Sequence, residues 1–482
     1  MDRQATSLPQ TRFRLELPTT AFPFRRELSL APLVAAWEAA AAEPGIAGDV
    51  ARAVCRGLDQ APELRAPIED PSMLDRHRDL VGVLMSLVFP AASWGEDYGA
   101  AAVPFQLRAV HATPSFRRLL LDEQGFVQGW LNLDAEGAAR GRLLYAYDAI
   151  LRVHYGMTLD VDDHPFTLAT RDPESGLERH FRIQLDTRFL EVRALAPVRA
   201  LDEATRRQLL RGDTAPQLLG ELFPPDAFAF SGFTVLRATE VTDQEVLSAI
   251  QRDLIDKESI VSTERFQELQ DKLRTLLRRP AVRLALAAFQ DGRVFVLNYS
   301  CDIEHGCIFA DSEHLRMSDF VGSVHERAVS QGTPLVVDDL ALEARRTKFE
   351  DALVGQGVRN ILVAPLSYQD RPIGTLELSS PNPGDLGPVS LVKLREVLPL
   401  FSMAVRRSLD ELEARVQAVI KEKCTAIHPS VEWRFRRAVL DSIEEHDGEE
   451  ATDLEPIVFR DVYPLYAATD IRGSSVERNV AV

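Results

Sequence analysis

A chain of 482 residues is too long for one ordinary core, and a composition of 45% hydrophobic with 27% charged residues excludes a largely disordered polymer. Two or three domains of roughly 100–200 residues each are expected. The formal charge of −18, from 73 acidic against 55 basic residues, repels phosphates and anionic lipid headgroups, so neither nucleic acid nor a membrane is expected as a partner.

The N-terminus, MDRQATSLPQTRFRLELPTT, lacks the apolar run of a signal peptide, and no later window approaches a membrane span, which points to a cytoplasmic location. The four cysteines (Cys55, Cys301, Cys307, Cys424) are too scattered for a disulfide framework and lack the paired spacing of a zinc site.

Residues 1–135 are expected to be a helical region. Leu30, Leu33, Val34 and Trp37 share one helical face and Leu80, Leu84 and Leu87 another, while FPAASWGEDYGA at 89–100 reads as a loop. From about residue 136 to 245 an α+β domain is expected. A helix through Leu143, Tyr147, Ile150, Leu151 and His154 precedes the alternating HFRIQLDTRFLEVRA of an antiparallel sheet. The strand GFTVLRATEV runs into Thr242-Asp243-Gln244-Glu245, a capping-box spacing that starts a helix with Val246, Leu247, Ile250 and Leu254 inward. Glu240-Val241-Thr242 at this junction resembles the acidic-aliphatic-threonine end of a PAS domain, with Glu where that family more often has Asp.

Connecting helices fill 246–279, with Phe266, Leu269, Leu273, Leu276 and Leu277 on one side, until Pro280 stops them. LALAAF and VFVLNY around Gln290-Asp291-Gly292-Arg293 form a hairpin. Residues 322–340 give a short helix, a Gly-Thr-Pro turn and a strand. Residues 357–387 give a strand, the Gln369-Asp370-Arg371 turn, a strand and a Pro/Gly-rich loop.

The order of these pieces, with Pro365-Leu366, the polar turn and Ile373-Gly374-Thr375-Leu376 in sequence, resembles a GAF domain over residues 280–407. The resemblance implies a multidomain α+β signalling protein, antiparallel sheets flanked by helices and joined by long signalling helices, that senses a small effector and does no chemistry of its own. Members of that family bind cyclic nucleotides, tetrapyrroles, amino acids or haem, and some bind nothing, so the cofactor is not read from the resemblance.

The ligand-facing segment is 300–323, with five acids, two histidines and two cysteines. Tyr299, Cys301, Asp302, His305, Cys307, Asp311, His314, Asp319 and Phe320 are the candidate ligand-binding residues. Cys301 and Cys307 lie too far apart in sequence for a paired structural zinc site, and no metal is expected. A covalently held bilin disagrees with the motifs: Cys301 precedes Asp and Cys307 precedes Ile where related photosensors have His, and Asp302-Ile303 is followed by Glu304 instead of Pro.

The exit helix, 389–423, has apolar residues at 391, 394, 398, 401, 405, 409, 412, 416 and 419, a coiled-coil-like spacing that implies a homodimer. Pro399 should kink or divide it. Residues 424–482 read as a helix, an acidic connector and a strand start. Ala468 to Ser475 resembles the opening of a class III nucleotide cyclase, an alternative in which the chain is the regulatory part of a truncated enzyme; a ligand-free dimerisation scaffold is another.

Overall fold

The computed structural model describes residues 13–14, 22–159, 166–209, 216–255, 263–290, 292–299, 315–423 and 429–445. The chain divides into two units, Met1–Val246 and Leu247–Val482.

In the first unit the strands are β1 (Phe13–Arg14), β2 (Arg25–Leu28), β3 (Tyr98–Ala102), β4 (Ala109–Ala112), β5 (Trp130–Leu131), β6 (Phe166–Arg171), β7 (Glu178–Asp186), β8 (Leu190–Ala194), β9 (Phe228–Gly232) and β10 (Thr234–Glu240). The helices are α1 (Ala31–Ala42), α2 (Ile46–Leu58), α3 (Met73–Arg76), α4 (Arg78–Met85), α5 (Pro114–Leu120), α6 (Ala135–Tyr155), α7 (Glu203–Leu209) and α8 (Pro216–Leu222), and α9 (Thr242–Ile255) begins in this unit and continues into the second. Seven strands form an antiparallel sheet in the order β1-β5-β6-β7-β10-β3-β4; β2, β9 and β8 form a second sheet in which β2 runs parallel to β9.

This differs from the expectation of a helical region ending near residue 135. β3 pairs with β10 from Ala102↔Thr234 to Tyr98↔Ala238, so strands from both sides of that boundary share one sheet. The physical reason is that β3, YGAAA, has no polar face. Ala100 and Ala102 pack into the core under α5 and α6 with Phe116, Ile150 and Leu168, while Ala101 packs with Leu33, Trp37 and Leu84 beneath α1 and α4. Covered on both faces, the strand loses the alternation by which a strand is read, and tertiary packing overrides alanine's weak strand preference. α6 behaves as its sequence predicts: the Asp134 carboxylate accepts from the Gly137 N–H at 2.7 Å, and Gly156 ends it in the left-handed region. Leu87, placed on the face of α4 by spacing, falls beyond the helix and is exposed.

Glu240 and Thr242 lash β10 to β7. Arg179 of β7 donates to Glu240 at 2.6 and 3.2 Å, to Asp172 at 3.2 Å and to the Tyr98 hydroxyl at 2.9 Å. Burial alone would lower the Arg179 pKa, but its bonds to Glu240 and Tyr98 hold it above the usual range. The Thr242 hydroxyl accepts from the His180 N–H at 3.0 Å and donates to Glu240 at 2.9 Å. It therefore serves the sheet, and the Glu245 N–H that it was expected to cap bonds the Val241 carbonyl instead.

One titration follows from this unit. His111, on β4, stacks on Phe89 with ring centres 6.0 Å apart, and burial, followed by the charge of Arg117, lowers its pKa from 6.5 to about 4. The unfolded chain takes up the proton below pH 6.5 and the folded one does not until about pH 4, so this contribution is present above 6.5 and lost as pH falls toward 4. Stability is expected to drop by about 1–2 kcal/mol between pH 7 and pH 5 through this group. Urea titrations of the wild-type protein and His111→Gln at the two pH values check this: the variant should show a flatter dependence, and parallel slopes would refute it.

In the second unit the strands are β11 (Arg283–Gln290), β12 (Arg293–Tyr299), β13 (Leu315–Arg316), β14 (Leu335–Val337), β15 (Asn360–Tyr368) and β16 (Arg371–Ser380), and the helices are α10 (Thr263–Leu277), α11 (Val324–Gln331), α12 (Lys348–Gly355), α13 (Pro388–Leu394), α14 (Leu398–Lys423) and α15 (Pro429–Glu445). One antiparallel sheet runs β13-β12-β11-β16-β15-β14. Both expected hairpins form. At the β15–β16 turn Gln369 and Asp370 take φ of 49° and 59°, the positive values a tight two-residue hairpin turn requires. α10 and α14 pack against the sheet, where Leu284, Leu286, Leu362, Leu376 and Leu378 are buried.

The exit helix is divided, as Pro399 predicts: α13 ends at Leu394 and Pro399 sits in the first turn of α14, where its missing N–H costs nothing. Phe401, Val405, Leu409, Leu412 and Val416 are all buried within the chain, α14 packing on β15, β16 and β11 and also on α15. The last seam position is Ile420, which is buried, in place of Val419. The apolar seam is therefore covered by the chain's own sheet and helix. Residues 468–475, with the cyclase-like motif, lie outside the described residues.

Candidate functional site

Directly paired residues of an antiparallel ladder project to the same face. Val363 pairs with Glu377 and Ile361 with Ser379, and Ile361 and Val363 pack with Val324 and Ala328 of α11 and with Leu353 of α12. Glu377, Thr375 and Ser379 therefore lie on the α11 face, as do Ala285 and Ala287, which pair with Glu377 and Thr375. The opposite face is filled by leucines. A sheet covered on both sides thus carries a buried polar row on one of them.

α11 aims a histidine at that row. The Ser323 hydroxyl caps the helix by accepting from the Glu326 N–H, which fixes its first turn. Glu350, itself buried, is held by the capping box of α12 and accepts the Val324 N–H at 2.9 Å, satisfying another free donor at the start of α11. With the turn so fixed, His325 Nε2 meets Glu377 Oε2 at 2.8 Å, both side chains only 8% exposed. Phe349 stands edge-on to the imidazole at 5.2 Å between ring centres, and Phe320 lies 5.6 Å from it and 4.7 Å from Phe349. Among the described residues His325 Nδ1 has no hydrogen-bond partner although it is buried. A buried polar atom left this way costs about 1–3 kcal/mol, so it is a place where a partner group is favoured.

Of the sequence candidates, Phe320 belongs to this constellation. Tyr299 ends β12 opposite Ala285, and Asp319 sits on the exposed side of the short turn before Phe320. Cys301, Asp302, His305, Cys307, Asp311 and His314 lie outside the described residues. His325, Phe349 and Glu377 escaped the sequence reading. The available signal was Glu377 itself, a carboxylate inside the apolar run IGTLEL, where a strand buried on both faces has no place for an unpaired charge. Among the described residues no three His, Cys, Asp or Glu side chains gather as metal ligands, and no helix is long and apolar enough to cross a membrane.

A six-stranded antiparallel sheet with helices on both faces and a buried polar pair under one of them defines an α+β domain. The GAF domain family model matches residues 263–405, so the second unit carries a GAF domain, which supports a signalling or sensor role in general. The match begins at α10, so that helix belongs to the domain and is more than a connector.

Among solved structures, the chain is similar to the GAF domain of a two-component sensor histidine kinase from Bacillus halodurans (12% identity, 31% of this chain and 96% of that one, TM-score 0.26). It is also similar to a phycoerythrobilin-bound GAF domain from a cyanobacterial phytochrome (16%, 35% and 96%, TM-score 0.27) and to free methionine-R-sulfoxide reductase from Neisseria meningitidis (15%, 35% and 91%, TM-score 0.27). No curated protein matches the chain.

Proposed function

We propose that the chain is a cytoplasmic sensor whose GAF domain binds a small polar effector on the α11 face of its sheet and passes the change through α14 to a second copy of the chain. The observation that carries the reading is the buried His325–Glu377 pair, whose other imidazole nitrogen has no partner among the described residues. Ala285 and Ala287 on the same face are small and only half-buried, which leaves space beside the pair, and Phe320 and Phe349 supply apolar walls. A few placed polar groups among apolar walls are what a small-molecule site needs. For the second copy, the support is that Val389, Val392 and Met403 of α13 and α14 are exposed by 71%, 72% and 62%. In the first unit, the PAS-like reading of residues 136–245 is supported by the interior place of the last strand, β10, in its sheet and by the Glu240–Thr242 junction it carries.

The test is mass spectrometry and absorbance of the purified protein, with thermal response to cyclic nucleotides and amino acids. A copurified or stabilising small molecule is expected, and Glu377→Gln should weaken its retention at least tenfold while leaving the fold intact, since the amide keeps the shape and a hydrogen bond but loses the charge. An empty, colourless protein indifferent to these compounds would instead favour the scaffold reading. Sedimentation at micromolar concentration reads the dimer, which Met403→Glu should weaken.

A further inference from the structure

α14 and α15 form a helical hairpin, with residues 424–428 between them, and its polar contacts fix its register. Arg436 of α15 donates to Glu413 of α14, and the Gln417 side chain of α14 donates to Glu432 of α15 at 3.1 Å. Four residues forward on one helix correspond to four residues back on the other, so the two run antiparallel. Gln417 also donates to Glu413 at 3.4 Å, and Gln290, the last residue of β11, donates to the other Glu413 oxygen at 3.2 Å. Burial alone would raise the Glu413 pKa, but its bonds to Arg436, Gln417 and Gln290 hold it below the usual carboxylate range.

These contacts fix which faces meet. On α14, Glu413, Val416, Gln417 and Ile420 stand three and four residues apart and share one stripe; on α15, Glu432, Phe435, Arg436 and Val439 do the same. Because Glu413 and Gln417 bond to α15, the apolar members of their stripe lie beneath it. Val416 is fully buried there, and so is Val439 on the facing stripe. Yet Val416 also belongs to the series 405, 409, 412, 416 and 419, whose spacing of four and three is that of a coiled-coil seam. α15 therefore lies where the helix of a second copy would lie. A helix on a short tether has an effective concentration of about millimolar, so while docked it outcompetes a second copy at micromolar concentration. Its hold is limited. Val431 and Phe435 are only half-buried, and the Arg436 and Glu413 side chains are 22% and 36% exposed, so their ion pair contributes little net. A helix with few buried contacts is among the first elements to open.

We propose that α15 is an autoinhibitory cover on the α14 seam: docked, it occupies the surface, and released, it frees Leu412 and Val416 to pair with the same seam of a second copy of the chain. The inference rests on the reading that a second copy receives the signal, and it adds what controls that pairing. Gln290 ties the cover to β11, the strand that carries Ala285 and Ala287 at the candidate effector site, so a shift of that strand bears directly on Glu413.

The experiment is sedimentation equilibrium of the full chain, with hydrogen exchange at the α15 amides as the measure of release. Arg436→Glu sets two carboxylates against each other, and Val439→Glu puts a charge into the helix contact. Each should speed exchange in α15 and tighten self-association at least tenfold. Reversing both partners, Glu413→Arg with Arg436→Glu, should return exchange and association to wild type. Val416→Lys added to Arg436→Glu charges the seam itself and should abolish the gain. Circular dichroism and slow exchange at the β15 and β16 amides certify that the domain is folded in each variant. Met403→Glu, on the exposed face, probes the second-copy reading separately. A dimer that Met403→Glu weakens but that release of α15 leaves unchanged overturns the cover and spares that reading, whereas a monomer in every variant overturns both. Unchanged α15 exchange in both single variants, or a gain that survives Val416→Lys, would also overturn the cover.

Discussion

Phe230→Ala is expected to destabilise the first unit by about 3–5 kcal/mol, the range for removing a fully buried aromatic ring from a core that cannot collapse around the loss. Phe230 is fully buried in β9, the middle strand of the smaller sheet. Its ring meets Phe105 edge-on at 4.9 Å and Phe24 edge-on at 5.3 Å, and lies 6.4 Å from Phe22. Phe24 in turn meets Tyr147 of α6 at 5.6 Å. Rings from β9, from the segment leading into β2, from the loop after β3 and from α6 therefore share one contact centre. Because these rings come from four places in the chain, no single local shift fills the space. Each edge-on pair also adds about 0.5–1.5 kcal/mol beyond the area it buries. Urea unfolding monitored by fluorescence and circular dichroism should show the midpoint of this unit falling with little change in slope. A loss under about 1 kcal/mol would mean that the cluster is loosely packed.

Such a cluster was not legible in the sequence, because its members are separated by more than two hundred residues and none stands in a motif. Legibility followed periodicity. α6 could be read from Leu143, Tyr147, Ile150 and Leu151 because only one face of that helix carries the apolar stripe, and β15 and β16 because a polar turn separates two apolar runs. Pro399 could be read because a proline acts through its own ring and needs no neighbour. β3 could not, since a strand of small residues covered on both faces has neither alternation nor bulk.

Thr242 shows a subtler failure. Its spacing to Glu245 suits a capping box, but the hydroxyl has one better use, bridging the His180 N–H and Glu240, which only the folded sheet presents. In the GAF domain the sequence reading chose residues by polarity along the chain, and of these Phe320 stands beside His325 in the fold. The pair that the fold brings together, His325 and Glu377, is fifty-two residues apart and depends on the register of β16 against β15 and β11.

That register rests on Gly374, and Gly374→Val is expected to cost the second unit about 3 kcal/mol or more. A Cβ at this position would stand 2.1 Å from the Ala287 carbonyl oxygen and 3.2 Å from the Ala287 carbonyl carbon. The obstructing atoms are backbone, so no rotamer change relieves the clash and β11 and β16 would have to separate. Gly374 pairs with Ala288 on one side and Leu366 on the other, in the middle of the sheet, where the strands cannot part without breaking ladder hydrogen bonds on both sides. The substitution also reaches the candidate site. Thr375 and Glu377 follow on the same strand, and displacing β16 from β11 draws Glu377 away from His325, which sits on α11 and does not move with it. The expected signature is therefore double: a lower unfolding midpoint, and early hydrogen exchange at the β11 and β16 amides. Thr375→Val, close in shape and free of any backbone clash, should leave both nearly unchanged. If Gly374→Val proved no more damaging than Thr375→Val, the close approach of β11 and β16 would not be what fixes the floor beneath His325.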